Sequence, residues 1–244
     1  MLPEMLPAIV CLHGHGSNAA IFQYQSRKIT QVLGTRFRFL FIDSPITTPQ
    51  PGVGVLPYFA TVKPYRRWHQ DANTIGLFDV TPEDIDRERR LVRDNLADVI
   101  ERERQNGPGV VGVMAFSQGA RVATALCLDP ELGVDIKFAI MICGVCPSLP
   151  LTAEPVSRTL DIVSVHVQGS ADPWSSKGTR LSKQYFNQKL VSVVRFKGGH
   201  EIPVKSQDVD NIACKIMVEY DCDSVPTAPV APAMLRPWIQ LNCM

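Results

Sequence analysis

The hydrophobic residues of the chain follow two alternating patterns. Short runs rich in Val, Ile and Phe are almost continuously apolar, which is typical of parallel strands covered on both faces. Between them lie longer segments with apolar residues three and four positions apart, which predict amphipathic helices. The predicted strands are residues 8–12, 37–42, 110–116, 138–143, 163–168 and 191–196. This alternation of strands and helices indicates an α/β domain with a mainly parallel sheet and helices on both faces.

Five helices are predicted in the intervals between the strands. The clearest start is at Thr81, which can act as the N-cap of a helix with Pro82 at its first position and Asp84 completing a capping box. The first helix is expected at residues 18–33, with Ser17 or Asn18 as its N-cap. The others are expected just after Ser117 through residue 128, near 176–188 and near 204–220.

Two segments fall outside this alternation. Residues 44–80 are rich in Pro and Gly but too aromatic for a linker, and we predict an ordered excursion over one end of the sheet, either a lid or a pocket wall. Its aromatic residues are Tyr58, Phe59, Tyr65, Trp68 and Phe78. Residues 221–244 contain four Pro and no clear periodicity, which predicts a poorly ordered tail after a single domain of residues 1–220.

Composition and charge narrow the class of protein. With 244 residues, 45% of them hydrophobic and 20% charged, the chain is not a disordered one. The net charge of +1 argues against nucleic acid or an anionic membrane as the main partner. The apolar run near the N-terminus is too short for a signal peptide or a membrane span and has no basic segment before it. We therefore expect a soluble, cytoplasmic protein.

The seven cysteines are odd in number and scattered, unlike a secreted disulfide framework, so we expect reduced thiols. Cys143 and Cys146 are spaced like a redox pair or half of a metal site. Because no second pair has metal-ligand spacing, the favoured interpretation is that they are apolar thiols at the end of a buried strand.

The strongest chemical signal is Ser117, which directly follows the predicted strand 110–116 and precedes a helix. This is the strand–turn–helix context of a nucleophile elbow, in which the residues two before and two after the serine must be small. Here they are Ala115 and Gly119. The usual pattern has glycine at both places, so Ala115 departs from it by one methyl group. Taken alone, a serine in this position is more often a helix cap.

A serine nucleophile needs a base and an acid, which follow it in that fold in the order Ser, acid, His. His200 lies in a glycine-rich loop after the last strand, whereas His166 lies inside a strand and is better explained as a core residue. Asp172 follows a strand at the same edge of the sheet, although Asp before Pro is also a common turn. Two other acids fit less well, namely Asp161 before its strand and Asp208 after His200. Together, Ser117, Asp172 and His200 predict a catalytic triad.

The oxyanion of an acyl-transfer intermediate also needs donors. We predict the backbone N–H of Gln118 and, from the glycine-rich loop after the first strand, that of His15. His13 and His15 are poor metal-ligand candidates because their loop supplies neither a carboxylate nor a cysteine. The loop also lacks the full phosphate-binding pattern. No metal or cofactor is expected.

These motifs carry a resemblance to a known family. They are Leu12-His-Gly-His-Gly-Ser-Asn18, Phe41-Ile-Asp-Ser-Pro45, Ala115-Phe-Ser-Gln-Gly119, Gly169-Ser-Ala-Asp172 and Gly198-Gly-His-Glu-Ile-Pro203. In this order they resemble the fungal serine hydrolase family, and most closely its branch of polyketide-cluster esterases and thioesterases. The resemblance covers about residues 7–220 and implies an α/β-hydrolase fold without a large cap. It also places the nucleophile, acid and base at Ser117, Asp172 and His200.

The resemblance further implies cofactor-free cleavage of acyl esters or thioesters. We expect a thioesterase that releases or trims a polyketide acyl chain, with an acyl carrier of a polyketide synthase as possible partner, in fungal secondary metabolism. Tyr58, Phe59 and Trp68 would then bind a flat, apolar acyl group, unless they only cover the core. The alternatives are a carboxylesterase that acts on small free esters and a non-catalytic binding protein of the same fold.

Overall fold

The computed structural model of the chain describes residues 5–70, 80–153 and 158–223. The strands are β1 (Ala8–Leu12), β2 (Arg38–Ile42), β3 (Ile46–Thr47), β4 (Arg66–Arg67), β5 (Val110–Phe116), β6 (Phe138–Ile142), β7 (Val163–Gly169) and β8 (Val191–Phe196). Six of them form one sheet in the order β2-β1-β5-β6-β7-β8, and every neighbouring pair is parallel. All six predicted strands are confirmed to within one residue at each end.

The helices are α1 (Ala19–Gln25), α2 (Arg27–Leu33), α3 (Pro82–Asn106), α4 (Gln118–Leu128), α5 (Ser175–Tyr185) and α6 (Ser206–Asp223). The predicted capping box of α3 is confirmed. Thr81 Oγ1 accepts from the N–H of Asp84 at 3.1 Å, and the Asp84 carboxylate accepts from the N–H of Thr81 at 3.2 Å. These two bonds satisfy backbone donors that a helix leaves unpaired at its start.

The prediction of one helix over residues 18–33 is wrong, because the helix breaks at Ser26 into α1 and α2. Asn18 caps α1, as expected, by accepting from the N–H of Ile21 at 2.9 Å. The Ser26 hydroxyl donates to the Phe22 carbonyl at 2.7 Å. Such a bond back to the preceding turn competes with the helical ladder and bends helices.

Apolar side chains cover both faces of the sheet, which explains the nearly continuous apolar runs. In β1, Ala8, Val10 and Leu12 pack against residues of α3 and α4 on one face. Ile9 and Cys11 pack against residues of α1, α2 and α6 on the other. Side chains that act on a ligand must therefore lie at the ends of the strands rather than on a face of the sheet.

The excursion after β2 is ordered in its described part, residues 44–70. Its strands β3 and β4 pair antiparallel. It is tied to the loop after β1, because Gly16 N–H donates to the Arg66 carbonyl at 2.8 Å and Arg66 N–H donates to the Ser17 carbonyl at 2.7 Å. Gly52 N–H also donates to the Gly16 carbonyl at 2.9 Å. The excursion therefore lies beside the carboxyl end of β1, while Phe78 lies outside the described residues.

The last helix, α6, continues through Asp223, three residues beyond the predicted domain boundary at 220. The Tyr220 ring packs edge-on against Phe37 and Phe138, with centroids 4.9 and 5.9 Å apart. Tyr220 is therefore part of the core packing, and the remainder of the predicted tail, 224–244, lies outside the described residues.

The expectation that the thiols are all reduced is wrong for Cys214, which is disulfide-bonded. Four other cysteines of the described residues are free thiols, namely Cys11, Cys127, Cys143 and Cys146. Among the residues that the structure describes, no helix combines the length and the apolar character needed to cross a membrane.

Candidate active site

Ser117 lies at a sharp turn between β5 and α4. Its backbone has φ 53° and ψ −116°, a conformation that is costly for a residue with a side chain. The sheet ladder continues up to it, because Ser117 N–H donates to the Ile142 carbonyl at 3.0 Å. A Cβ on Gly119 would lie 2.4 Å from the Leu12 carbonyl oxygen and 2.5 Å from that of His13. The turn therefore requires glycine at 119 and lifts the serine above the sheet edge.

The other small position of the elbow is Ala115, which is fully buried. Its Cα pairs in register with Leu12 on one side and Met141 on the other. Ala115 has a methyl group where the usual pattern has glycine. This methyl group belongs to the apolar core on the side of α4. Packing on that face therefore accommodates it.

His200 links Ser117 to Asp172. Its Nε2 lies 2.7 Å from Ser117 Oγ, and its Nδ1 lies 2.9 Å from Asp172 Oδ2. The second carboxylate oxygen of Asp172 accepts from the N–H of Trp174 at 2.8 Å. Only 4% of the His200 side chain and 2% of the Asp172 side chain are exposed. The three side chains form a hydrogen-bonded chain, buried at His200 and Asp172, that can pass a proton from the serine to the imidazole.

The loops after β7 and β8 bring Asp172 and His200 together. Ala171 N–H donates to the Gly198 carbonyl at 2.9 Å, which joins the two loops. A Cβ on Gly169 would lie 2.1 Å from the Gly199 carbonyl oxygen. Only a glycine at 169 therefore permits this approach.

The His200 ring is held between two aromatic side chains. Trp174 meets it edge-on, with centroids 4.5 Å apart and an interplanar angle of 83°. Phe116 lies against it at 5.1 Å. These contacts restrict rotation of the imidazole and keep Nε2 directed at Ser117, which a general base requires.

The loop after β1 passes over Ser117. A Cβ on Gly14 would lie 2.9 Å from the Phe116 ring and 3.4 Å from Ser117 Cβ. Within the described part of the chain, the N–H of His15 has no backbone acceptor. Gln118 is the first residue of α4, where the N–H groups of a helix have no acceptor within it. Both N–H groups are suited to bind an oxyanion that forms above Ser117.

The chain matches the family described as Serine hydrolase (FSH1) over residues 5–212. It belongs to this family. The protein "Thioesterase FSL2" of Gibberella zeae is 48% identical over 234 residues, covering 88% of this chain and 93% of that protein. "Probable esterase azaC" of Aspergillus niger is 28% identical over 228 residues, covering 87% of this chain and 84% of that protein.

A solved structure shows the same fold as this serine hydrolase. The Bacillus cereus carboxylesterase superposes with a TM-score of 0.54 at 16% sequence identity, over 88% of each chain. The fold is thus the predicted α/β-hydrolase fold without a large cap. Family membership and relatives named thioesterase and esterase make the chain a hydrolase of this class.

A second layer of residues supports the loop after β1 in this serine hydrolase. The buried His13 ring stacks on Trp68, with centroids 5.1 Å apart. Its Nε2 accepts from the N–H of Ser44 at 3.2 Å, so its Nδ1 carries the proton and donates to the Gly14 carbonyl at 2.8 Å. Burial lowers the pKa of His13 to about 4, which keeps the ring neutral at neutral pH. Trp68 Nε1 in turn donates to the His13 carbonyl at 2.8 Å.

The Gln118 side chain joins this layer to the helix. Its Oε1 accepts from the N–H of Trp68 at 3.0 Å, and its amide also bonds the ring of His15. Desolvation, followed by the charge of Arg67, lowers the pKa of His15, while the bond to Gln118 opposes that shift. The sequence indicates only a backbone role for Gln118. The contacts of its side chain were not predicted, because the residues that it bonds are brought near only by folding.

The three aromatic residues considered for substrate binding lie in different environments. Trp68 is fully buried beneath the loop after β1, where it acts as a support. Phe59 is half-buried and packs in a small cluster with Ile21 and Val55. Tyr58 is 86% exposed. The structure therefore does not bring these side chains together into one wall.

His166 is a core residue, as predicted. It is buried in β7, where its Nε2 lies 3.2 Å from Ser164 Oγ and its ring meets Phe186 edge-on. Burial lowers its pKa to about 4.

Proposed function

We propose that this serine hydrolase cleaves acyl thioesters or esters through an acyl-enzyme formed on Ser117, and that its natural substrate is a polyketide acyl chain. The observation that carries the proposal is the hydrogen-bonded chain from Ser117 Oγ through the His200 ring to Asp172, at a strained strand-to-helix turn. Strain of this kind at a polar residue supports a functional role for it.

In the first half of the reaction, Ser117 Oγ attacks the acyl carbonyl carbon while its proton moves to Nε2 of His200. The resulting oxyanion accepts hydrogen bonds from the backbone N–H groups of His15 and Gln118. Each such donor is worth about 10²–10³ in rate. The tetrahedral intermediate then collapses, the bond to the leaving thiol or alcohol breaks, and the leaving group takes the proton from His200.

In the second half, water gives a proton to His200 Nε2 and attacks the carbonyl carbon of the acyl-enzyme. Collapse of this second intermediate breaks the bond to Ser117 Oγ, which recovers its proton from His200 and releases a carboxylic acid. Asp172 stays ionised throughout, because its role is to hold the Nδ1–H tautomer and to stabilise the imidazolium.

The choice of a thioester is supported by the 48% identity to the protein named Thioesterase FSL2. A second candidate, a carboxylesterase that acts on small free esters, is supported by the relative named Probable esterase azaC. Both activities use the same acyl-enzyme, so turnover of a carrier-bound acyl thioester and of a matched free ester must be measured in parallel. A higher kcat/KM for the carrier thioester is expected.

The proposal also includes a partner and a location. The partner is the acyl carrier of a polyketide synthase, and the location is the cytoplasm. The support for the partner is the resemblance of the motifs around Ser117, Asp172 and His200 to the polyketide branch of the family. The four free thiols among the described residues favour a reducing compartment, whereas the disulfide of Cys214 does not. A fluorescent fusion expressed in the source organism tests the location.

The proposal is tested by Ser117→Ala. We expect turnover to fall about 10⁴-fold or more, and labelling by a fluorophosphonate to be lost, because the nucleophile is removed. Ser192→Ala, a change of the same kind on the edge strand β8, is the matched control and should keep both properties.

The melting temperature of the Ser117→Ala protein should change little, because the exposed part of the elbow contributes little packing. A Ser117→Ala protein that kept a tenth of the wild-type turnover would overturn the assignment of the nucleophile.

A further inference from the structure

Two residues with side chains have a positive φ among the described parts of the chain, and Ser117 is one of them. The other is Cys143, at φ 45°. It follows β6, the neighbour of β5 in the sheet, and its N–H donates to the Val167 carbonyl at 2.8 Å. Cys143 therefore occupies, one strand over, the place that Ser117 occupies after β5. Backbone strain of this kind persists where the surrounding structure requires it, and it concentrates at functional sites.

The Cys143 thiol lies beneath the loop that carries the base. Its Sγ donates to the Glu201 carbonyl at 3.4 Å and lies 3.9 Å from the Gly199 carbonyl, so the two acceptors flank His200 on both sides. The thiol lies within 4.8 Å of ligand atoms of Asp172 and His200. Only 2% of Cys143 is exposed.

The thiol is suited to this place as a donor. Burial raises the pKa of Cys143 to about 12, so that the sulfur keeps its proton at neutral pH. A protonated thiol can donate to a carbonyl and puts no negative charge beside the Asp172 carboxylate.

We propose that Cys143 is a positioning residue of the active site, which holds the backbone on both sides of His200 so that the imidazole stays aligned between Asp172 and Ser117. The inference rests on the proposed function, because it concerns the base of the same triad. It assigns to Cys143 a role in turnover that neither its place directly after β6 nor its burial would require.

A purely structural role makes a different prediction. A glycine adopts φ 45° without strain, so a residue that only completes the turn would be replaced by glycine at little cost. A positioning residue would instead lose its hydrogen bonds in Cys143→Gly and in Cys143→Ala. Cys143→Ser keeps a donor at nearly the same place.

The experiment measures kcat and KM with a p-nitrophenyl ester, together with the rate of fluorophosphonate labelling of Ser117. We expect Cys143→Gly and Cys143→Ala to lower kcat about tenfold with KM unchanged, and to slow labelling in parallel, which corresponds to about 1.4 kcal/mol in the barrier. Cys143→Ser should recover most of kcat. Cys127→Ala, which removes another buried free thiol from α4, is the matched control and should keep the wild-type kcat.

The melting temperature of each variant shows whether a loss of kcat comes from misfolding or from a misaligned imidazole. Cys143→Gly removes the thiol but also relieves backbone strain, so its melting temperature should not fall. Wild-type kcat in both Cys143→Gly and Cys143→Ala would overturn the inference while leaving the proposed function intact. The same holds for a Cys143→Ser protein as slow as Cys143→Ala. Failure of the proposed function gives a different result, since the wild-type chain would then show no turnover that depends on Ser117.

Discussion

The orientation of the His200 ring is set by hydrogen bonds to both of its nitrogens and by aromatic contacts. The imidazole reaches Ser117 Oγ at 2.7 Å and Asp172 Oδ2 at 2.9 Å, while Trp174 fixes both the ring and the other carboxylate oxygen. With Nδ1 bonded to a carboxylate, the ring carries its proton there and presents a bare Nε2 to the serine. The tautomer of His200 therefore depends on Asp172.

Replacing Asp172 tests that dependence. Asp172→Asn should lower kcat about 10⁴-fold, because the amide keeps the size of the side chain but can favour the wrong imidazole tautomer. The loss should be smaller than in His200→Ala, which removes the base itself. Steady-state turnover of a p-nitrophenyl ester measures both.

Asp161→Asn is the control for this prediction. Asp161 precedes β7, at the opposite end of the strand from Asp172, and bonds the side chain of Asn187 at 2.8 Å. The Asp161→Asn protein should keep nearly all of the wild-type turnover. An inactive Asp161→Asn beside an active Asp172→Asn would show that the acid had been assigned to the wrong residue.

At the scale of elements, the excursion between β2 and α3 is held by a few ties to distant parts of the chain. Arg67 of β4 makes two bonds of 2.6 and 2.8 Å to the Glu88 carboxylate on α3. The side chains are 18% and 14% exposed, so the pair is partly shielded from water. Gln70 N–H also donates to Glu88. Trp68 lies between Arg67 and Gln70 in the chain. The bonds to Glu88 therefore also hold Trp68 in place beneath the loop after β1.

Glu88→Gln should therefore destabilise the protein by about 1–3 kcal/mol, because it leaves the Arg67 charge partly buried without its partner. Urea unfolding at neutral pH measures the loss. Asp86→Asn is the control on the same helix, where an acid that is 52% exposed pairs with Arg89, and its effect should stay below about 1 kcal/mol. Equal effects of the two substitutions would contradict the proposed tie.

For the whole molecule, the buried histidines make folding depend on pH. His13 and His166 lie in different parts of the fold, and burial lowers both pKa values from 6.5 to about 4. Between these values the unfolded chain binds protons that the folded chain does not. The free energy of unfolding is therefore highest above pH 6.5 and decreases as the pH falls towards 4.

The full effect is on the order of 3 kcal/mol for each histidine, since one pKa unit corresponds to about 1.4 kcal/mol. Urea unfolding at pH 7.5 and pH 4.5 should show this loss in the wild-type protein. His166→Gln should make the difference between the two pH values smaller, because one of the histidines with a lowered pKa is removed. An unchanged difference would contradict the buried, neutral state of His166.

The sequence was sufficient wherever the cause is local or repeats along the chain. The six strands were predictable because both faces of the sheet are covered, which demands continuous apolar runs. The capping box at Thr81 was predictable because its donors and acceptors lie within three residues of each other. The meeting of Ser117, Asp172 and His200 was predictable as well, because the carboxyl ends of parallel strands share one edge of the sheet.

The tertiary structure alone decided features whose partners are far apart in the chain. β3 and β4 are two residues each and carry no periodic signal, and they exist because the excursion returns to the loop after β1. Trp68 carries the same apolar signal whether it lines a pocket or supports a loop, and only its contacts with His13 and Gln118 distinguish these roles. In the sequence, Cys143 is likewise indistinguishable from any other buried thiol. Only the fold brings its sulfur against the loop that carries His200. The sequence records which groups are present, and folding alone sets the distances and directions on which hydrogen bonds depend.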